Sequence, residues 1–231
     1  MIIIPYGDDQ VKGGYFPLFS YALIAINLAV FFYEASLPLP LQNAFMMKYA
    51  AIPAHIMQGE DLYTLITSMF LHGGWVHLFG NMLFLWIFAD NIEALIGTPR
   101  FFTFYLLGGL AAHVAHIYFN LSSEIPTVGA SGAISAVMGA YLMLFPGFRI
   151  HFLFIIIPFR IPAFLFLFFW VFQQLLNGQA SLRVQTAESS GVAWWAHIGG
   201  FVFGVLAGIW FRLILRRSRP PAPAAYRRPY R

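Results

Sequence analysis

Long runs of apolar residues alternate with short polar segments along most of the chain. Six of these runs, each about 16 to 25 residues long, approach the roughly 20 residues that a helix needs to cross a bilayer. The pattern therefore predicts six membrane-spanning helices, at about 17–35, 65–89, 101–119, 129–145, 162–177 and 194–215. Their continuous apolar character argues against transmembrane β-strands, in which apolar and polar positions alternate.

Composition supports the same class. Hydrophobic residues make up 60% of the 231 residues and charged residues only 10%, and a water-soluble globule of this size could not bury so much apolar surface. We therefore expect an all-α polytopic membrane protein, a six-helix bundle in direct contact with the lipid bilayer. One domain is expected over residues 1–219, followed by a basic, disordered tail at 220–231. The interrupted apolar segment 148–160 is expected to lie at the membrane interface.

Basic residues are distributed asymmetrically about the predicted spans. With the N-terminus in the cytoplasm, eleven of the thirteen Lys and Arg residues fall on the cytoplasmic side, and the other two, Lys48 and Arg183, fall outside. Cytoplasmic segments usually carry such an excess, so both termini are expected in the cytoplasm. The basic excess thus follows membrane topology and indicates no nucleic-acid partner. A compact chain of this kind is typical of a prokaryotic plasma (inner) membrane protein.

Polar residues that could take part in catalysis lie near the starts of the second, fourth and sixth apolar runs. In that order the runs contain His72, His77 and Asn81, then Ser131, then His197. Alternate spans begin on the same side of the membrane, here the outer side, so these side chains are expected at one depth. Ionisable groups in a membrane are costly and usually functional. Glycines that recur every fourth residue after His197 would let neighbouring helices approach closely.

Ser131 and His197 have the chemistry of a nucleophile and its base. A serine hydroxyl is a weak nucleophile until a base takes its proton, and a neutral imidazole suits that task. No carboxylate is expected at the same depth, so a two-residue dyad is predicted instead of a triad. His77 and Asn81, one helical turn apart, could donate hydrogen bonds to an oxyanion, as could the backbone amide of Ser131 at a helix N-terminus.

Three motifs, in this order and spacing, resemble those of the rhomboid intramembrane serine proteases. They are HGGWVHLFGN at 72–81, GASG at 129–132 and AHIGGFVFG at 196–204. The resemblance implies a rhomboid-like bundle and a serine endopeptidase that acts through an acyl-enzyme. It would cleave transmembrane or juxtamembrane segments of membrane proteins near the outer side of the bilayer. It also implies lateral access for substrates between the second and fifth spans, with the loop 177–193 as a cap.

The same resemblance implies a role for each residue of the site. It makes Ser131 and His197 the catalytic dyad, and it assigns the oxyanion hole to His77, Asn81 and the Ser131 amide. Gly129 would lie beside the nucleophile, and His72 would have a structural or water-retaining role. Where some relatives have an aromatic residue that stacks on the histidine, this chain has Ser135. The contacts of the His197 ring therefore stay open, with Trp194 and Trp195 as candidates.

Other interpretations are weaker on the sequence. A catalytically silent rhomboid-like protein that binds membrane clients is the main alternative, although the intact dyad argues against it. A channel or transporter would need charged residues across the midplane. His113 and His116 could ligate a metal, but no carboxylate or cysteine joins them, so no metal and no cofactor are expected. Gln173 and Gln174 could line an opening. The oligomeric state and the natural substrate are not predicted.

Overall fold

Nine α-helices and three β-strands make up the computed structural model, which describes residues 3–11, 15–183 and 192–217. The helices are α1 (Leu18–Ser36), α2 (Leu39–Tyr49), α3 (Pro53–Met57), α4 (Thr64–Thr67), α5 (Trp75–Ile96), α6 (Thr98–Tyr118), α7 (Ser131–Leu144), α8 (Ala163–Arg183) and α9 (Trp194–Arg217). The strands are β1 (Ile3–Asp8), β2 (Arg149–Phe154) and β3 (Ile157–Pro162). Within the described ranges, α1, α5, α6, α8 and α9 are long and apolar enough to cross a membrane. The predicted helical, polytopic membrane fold is confirmed.

The sixth apolar helix, α7, is short and lies at the centre of the bundle. Its 14 residues span about 21 Å, less than the ~30 Å thickness of a hydrocarbon core. Every residue from Gly132 to Tyr141 is buried, so α7 is surrounded by protein and not by lipid. The predicted count of six spans therefore depends on this central helix and stays a prediction.

The helix of the predicted second span, 65–89, begins and ends later in the structure, where α5 covers Trp75–Ile96. Residues 64–70 form α4 and a single 3₁₀ turn (Ser68–Phe70), and α5 begins only at Trp75. Gly74 precedes α5 with φ +154° and ψ 172°, a backbone conformation that interrupts the helix although the apolar run continues. His72 consequently lies before α5 and not on it. The predicted fifth span also ended too early, since α8 continues to Arg183.

The three strands form an antiparallel sheet in the order β1-β2-β3, which the sequence analysis did not predict. The sequence predicts only interfacial structure at 148–160. The side chains of Ile150 and Phe152 are buried, and the Phe152 ring packs 5.4 Å from that of Phe166 on α8. The sheet therefore covers one end of the bundle.

Buried carboxylates attach the N-terminal segment to that same end. Asp8, 6% exposed, accepts hydrogen bonds from Gln10 Nε2 (2.8 Å), Asn91 Nδ2 (2.7 Å) and the Tyr141 hydroxyl. The Glu93 carboxylate accepts the backbone amides at the start of α1, including that of Ser20 at 2.8 Å. An acceptor is favourable there because the first amides of a helix have no intrahelical partner.

We expect Asp8 to make a contribution to stability that is lost as the pH rises from about 4 to about 7. Burial, assisted by the nearby Asp90 carboxylate, raises the pKa of Asp8 from 3.8 to about 7. The folded state therefore binds this proton more tightly than the unfolded state, so the contribution of Asp8 to the free energy of unfolding falls across that interval and not above it, by at most about 4 kcal/mol. Thermal unfolding in detergent at pH 5 and pH 8 measures the effect. Between pH 5 and pH 8, the thermal midpoint of Asp8→Asn should shift in favour of the higher pH relative to that of wild type, whereas the exposed control Glu60→Gln should follow wild type; the same change in all three proteins would contradict the assignment.

Glycines allow α7 and α9 to pack backbone against backbone. A Cβ atom placed on Gly200 would overlap the carbonyl oxygen of Gly132, and one on Gly204 would overlap that of Ala136. The close approach expected from glycines at every fourth residue is therefore confirmed. It brings the first turns of these two helices together, and those turns carry Ser131 and His197.

Candidate active site

Ser131 and His197 are hydrogen-bonded to each other although they are 66 positions apart. The Ser131 Oγ atom lies 2.8 Å from Nε2 of His197. Ser131 is the first residue of α7, and His197 lies in the first turn of α9. The distance is that of a direct hydroxyl–imidazole hydrogen bond, so a proton can pass between the two groups without an intervening water.

The other nitrogen of the His197 imidazole is also hydrogen-bonded. Nδ1 of His197 lies 2.8 Å from Oε1 of Gln174, which is on α8. Gln174 is 5% exposed, and its Nε2 donates to the carbonyl oxygen of Trp170 at 3.4 Å. From the sequence, this glutamine is predicted only to line an opening. An amide in the second half of the fifth apolar run, at the same end of the bundle as the start of the sixth, is the available signal.

Aromatic rings flank the imidazole. The Trp170 and Trp194 rings lie 6.0 and 6.2 Å from it, the latter edge-on. Trp195, the other candidate from the sequence, stacks instead on Phe119 at 3.7 Å. Ser135, where the resemblance suggested an aromatic contact, donates its hydroxyl instead to the backbone carbonyl of Ser131 at 2.6 Å.

His77 and Asn81 of α5 face the turn that leads into Ser131. A Cβ atom on Gly129 would lie 2.7 Å from Nε2 of His77 and 3.6 Å from Nδ2 of Asn81. Gly129 has φ +123°, and its amide donates to the Ser68 carbonyl at 2.9 Å, which fixes the turn. Both the close approach and the positive φ require glycine at this position.

Three hydrogen-bond donors are therefore available around this turn. The Gly73 amide donates to Nδ1 of His77 at 3.4 Å, which leaves Nε2 as the protonated nitrogen. The buried Nδ2 of Asn81 has no hydrogen-bond partner within residues 3–11, 15–183 and 192–217. The backbone amide of Ser131 belongs to the first turn of α7, which has no capping side chain, so it lacks an intrahelical acceptor.

Three further histidines, His72, His113 and His116, pack around this group or bond to hydroxyls. His72 is buried, and its ring centroid lies 5.1 Å from that of His77. His113 Nε2 lies 3.1 Å from the Ser68 hydroxyl, and His116 Nε2 lies 3.0 Å from that of Thr127. Among the described residues, no group of three or more His, Cys, Asp or Glu side chains could hold a metal ion.

Few classes of membrane protein combine a polytopic helical bundle with a hydroxyl–imidazole pair at the ends of two tightly packed helices. The family profile described as "Rhomboid domain" matches residues 59–213, a range that contains the pair and its surrounding donors. The chain belongs to the rhomboid family.

Curated relatives come from mitochondria and from bacteria. "Rhomboid protein 1, mitochondrial" of Saccharomyces cerevisiae is 28% identical over 203 residues, which cover 86% of this chain and 55% of the relative. "Presenilin-associated rhomboid-like protein A, mitochondrial" of Danio rerio is 27% identical over a segment that covers 86% of this chain and 49% of the relative. "Rhomboid protease GluP" of Bacillus subtilis is 31% identical over 126 residues, 54% of this chain and 24% of the relative. The chain thus spans about half, or less, of the length of these relatives.

Proposed function

We propose that this protein is an intramembrane serine endopeptidase, with Ser131 as the nucleophile and His197 as the base. The observation that carries the proposal is the 2.8 Å hydrogen bond between the Ser131 hydroxyl and Nε2 of His197. Membership of the rhomboid family supports it, and one relative is itself named a protease. Substrates would be transmembrane or juxtamembrane segments of membrane proteins, cut near the outer side of the bilayer.

In the proposed acylation, the Ser131 oxygen bonds to the carbonyl carbon of the scissile peptide while its proton moves to Nε2 of His197. The C–N bond then breaks as the same proton passes to the leaving amine. Water, deprotonated in turn by His197, attacks the acyl-enzyme, releases the new carboxyl terminus and restores the serine hydroxyl.

The developing oxyanion would be stabilised by Nε2–H of His77, the Asn81 amide and the Ser131 backbone N–H. Donors of this kind act most strongly where water is excluded and where they are held in place before the reaction. The buried Nδ2 of Asn81, which has no hydrogen-bond partner among the described residues, supports this role, because an unsatisfied buried donor is costly unless a substrate group uses it. Gly129 keeps the turn open beside these donors.

The proposed topology follows from charge and resemblance. Both termini are placed in the cytoplasm by the distribution of Lys and Arg, and the location proposed is a prokaryotic plasma membrane; the named mitochondrial relatives make a mitochondrial membrane the alternative. Substrates would gain lateral access between α5 and α8. Of the predicted cap, 177–193, residues 177–183 belong to α8, and residues 184–191, like the tail at 220–231, lie outside the described residues.

Cleavage by the purified protein in liposomes, with a single-span substrate, tests the proposal. Fragment masses should place the cut within the outer half, or just outside the outer boundary, of the substrate's transmembrane segment. A substrate that binds but stays intact under all conditions would favour the client-binding alternative. A cut at the cytoplasmic end would contradict the proposed geometry.

Truncating an oxyanion donor should lower kcat with little effect on KM. We expect Asn81→Ala to reduce kcat about 10²- to 10³-fold, because its amide would act only on the charge that develops in the transition state. His77→Ala should have an effect of similar size. Initial rates over a range of substrate mole fractions in liposomes separate the two parameters. Asn43→Ala, on an exposed part of α2, is the matched control; an Asn81→Ala enzyme with the kcat of this control would exclude Asn81 from the oxyanion hole.

A further inference from the structure

We propose that Gln174 is the positioning residue of this site, and that its side-chain oxygen holds His197 in the tautomer protonated at Nδ1. This inference rests on the proposed function and extends it, because it gives the pair a third member on a third helix. The Ser131, His197 and Gln174 side chains would form a chain of two hydrogen bonds, each 2.8 Å long. A neutral amide would thus stand where soluble serine hydrolases usually have a carboxylate.

The orientation of the Gln174 amide determines the direction of both hydrogen bonds to His197. Its Nε2 donates to the Trp170 carbonyl, so Oε1 is the atom that faces the imidazole. A carbonyl oxygen can only accept, and therefore Nδ1 of His197 must carry the hydrogen. Nε2 then has a free lone pair directed at the Ser131 hydroxyl. In the opposite tautomer, Nε2 would carry a hydrogen and could not take the serine proton.

Packing between α8 and α9 fixes the glutamine in this orientation. Trp170, Gln174 and Gly178 recur at four-residue intervals and so lie on one face of α8. The Trp170 ring lies 6.0 Å from the imidazole, and a Cβ atom on Gly178 would come within 3.1 Å of Ile198 on α9. The absence of a side chain at 178 allows α8 to approach the first turn of α9, and Gln174 occupies the position between these two contacts. Its neighbour Gln173 is exposed.

A membrane setting explains why an amide can serve where a carboxylate would be costly. Burying an unpaired carboxylate carries a desolvation penalty of several kcal/mol, and lipid provides no water to offset it. A glutamine supplies the same acceptor geometry without charge. The cost is that the amide orients the imidazole but stabilises the transient imidazolium less than a carboxylate would.

Three variants separate positioning from packing. Gln174→Met keeps the size of the side chain and removes the acceptor, so we expect kcat to fall about 10²-fold with KM nearly unchanged. Gln174→Glu restores an acceptor at the same position and should recover most of the lost kcat. A carboxylate opposite Nδ1 also favours the protonated imidazole, so the acid limb of its pH–rate profile should move to higher pH. The matched control is Gln173→Met, which should behave as wild type.

An independent readout tests the inference without activity. Nitrogen-15 NMR of histidine side chains in detergent, with His197 assigned by its loss in His197→Gln, should find wild-type His197 protonated at Nδ1 and Gln174→Met with mixed or reversed tautomers. Wild-type protein that cleaves no substrate but retains the Nδ1 tautomer would refute the proposed protease function and leave the hydrogen-bond chain intact. Active protein would refute the role of Gln174 if Gln174→Met kept the wild-type kcat and tautomer, or if Gln174→Glu neither recovered activity nor moved the acid limb.

Discussion

Replacing Ser131 by alanine will reduce proteolysis to the background rate, a loss of about 10⁴-fold or more in kcat. The substitution removes the only atom of the pair that can form the acyl bond, while the donors and the substrate-binding surface remain. Substrate should therefore still bind, and KM or co-purification should change little. Quantitative mass spectrometry of substrate fragments over long incubations measures the residual rate. The double variant with His197→Ala should be no slower than either single variant, because the two residues act as a unit.

Ser135→Ala is the matched control for this experiment. It makes the same substitution one turn along the same helix, and its hydroxyl bonds only to the Ser131 backbone carbonyl in the described structure. We expect its activity to stay within a few-fold of wild type. If Ser131→Ala retained activity close to that of Ser135→Ala, another nucleophile would be responsible and the proposed site would be wrong.

Gly204→Ala will destabilise the protein more than other single-methyl additions in the bundle. The new Cβ would overlap the carbonyl oxygen of Ala136, and both partners are helix backbone, so neither can move without separating α7 from α9. Overpacking of this kind costs about 1–3 kcal/mol and sometimes more. Because the same contact aligns Ser131 with His197, we expect lower activity in the protein that remains folded, as well as a lower thermal midpoint in detergent.

Gly80→Ala provides the control for the added methyl group. Gly80 lies within α5, and a Cβ atom there would meet nothing within 4 Å, so alanine should be neutral or stabilising by about 0.5–1 kcal/mol through its better helix propensity. A Gly204→Ala protein that melts at or above the midpoint of Gly80→Ala would show that α7 and α9 are not packed as closely as described.

The sequence predicts the bundle well because long apolar runs have few alternatives in a membrane protein. It fails where a local backbone conformation interrupts a run, as at Gly74, whose positive φ precedes α5 in the middle of what the sequence predicts as one helix. It also misses the sheet. Asp8 of β1 pairs with Ile150 of β2, and so distant a partner leaves no periodic signal in either segment.

The candidate site, like the fold, can be predicted from the sequence only in part. Ser131 and His197 could be paired in advance because motif and depth both point to them, and the structure brings their side chains within 2.8 Å. The third contact could not be predicted. Whether Gln174 or Gln173 faces the imidazole depends on the rotation of α8 against α9, which is set by the packing at Gly178. Similarly, nothing in the sequence distinguishes Trp194, which lies beside the imidazole, from Trp195, which stacks elsewhere.

Covalent labelling of the folded protein tests the central claim most directly, because it requires no knowledge of the natural substrate. A fluorophosphonate reacts with a serine only when that hydroxyl is activated by a base. Incubation in detergent, followed by peptide mapping, should locate a single adduct on Ser131 in wild type and in Ser135→Ala, and none in His197→Ala. An adduct on a different residue, or undiminished labelling of Ser131 in His197→Ala, would contradict the account.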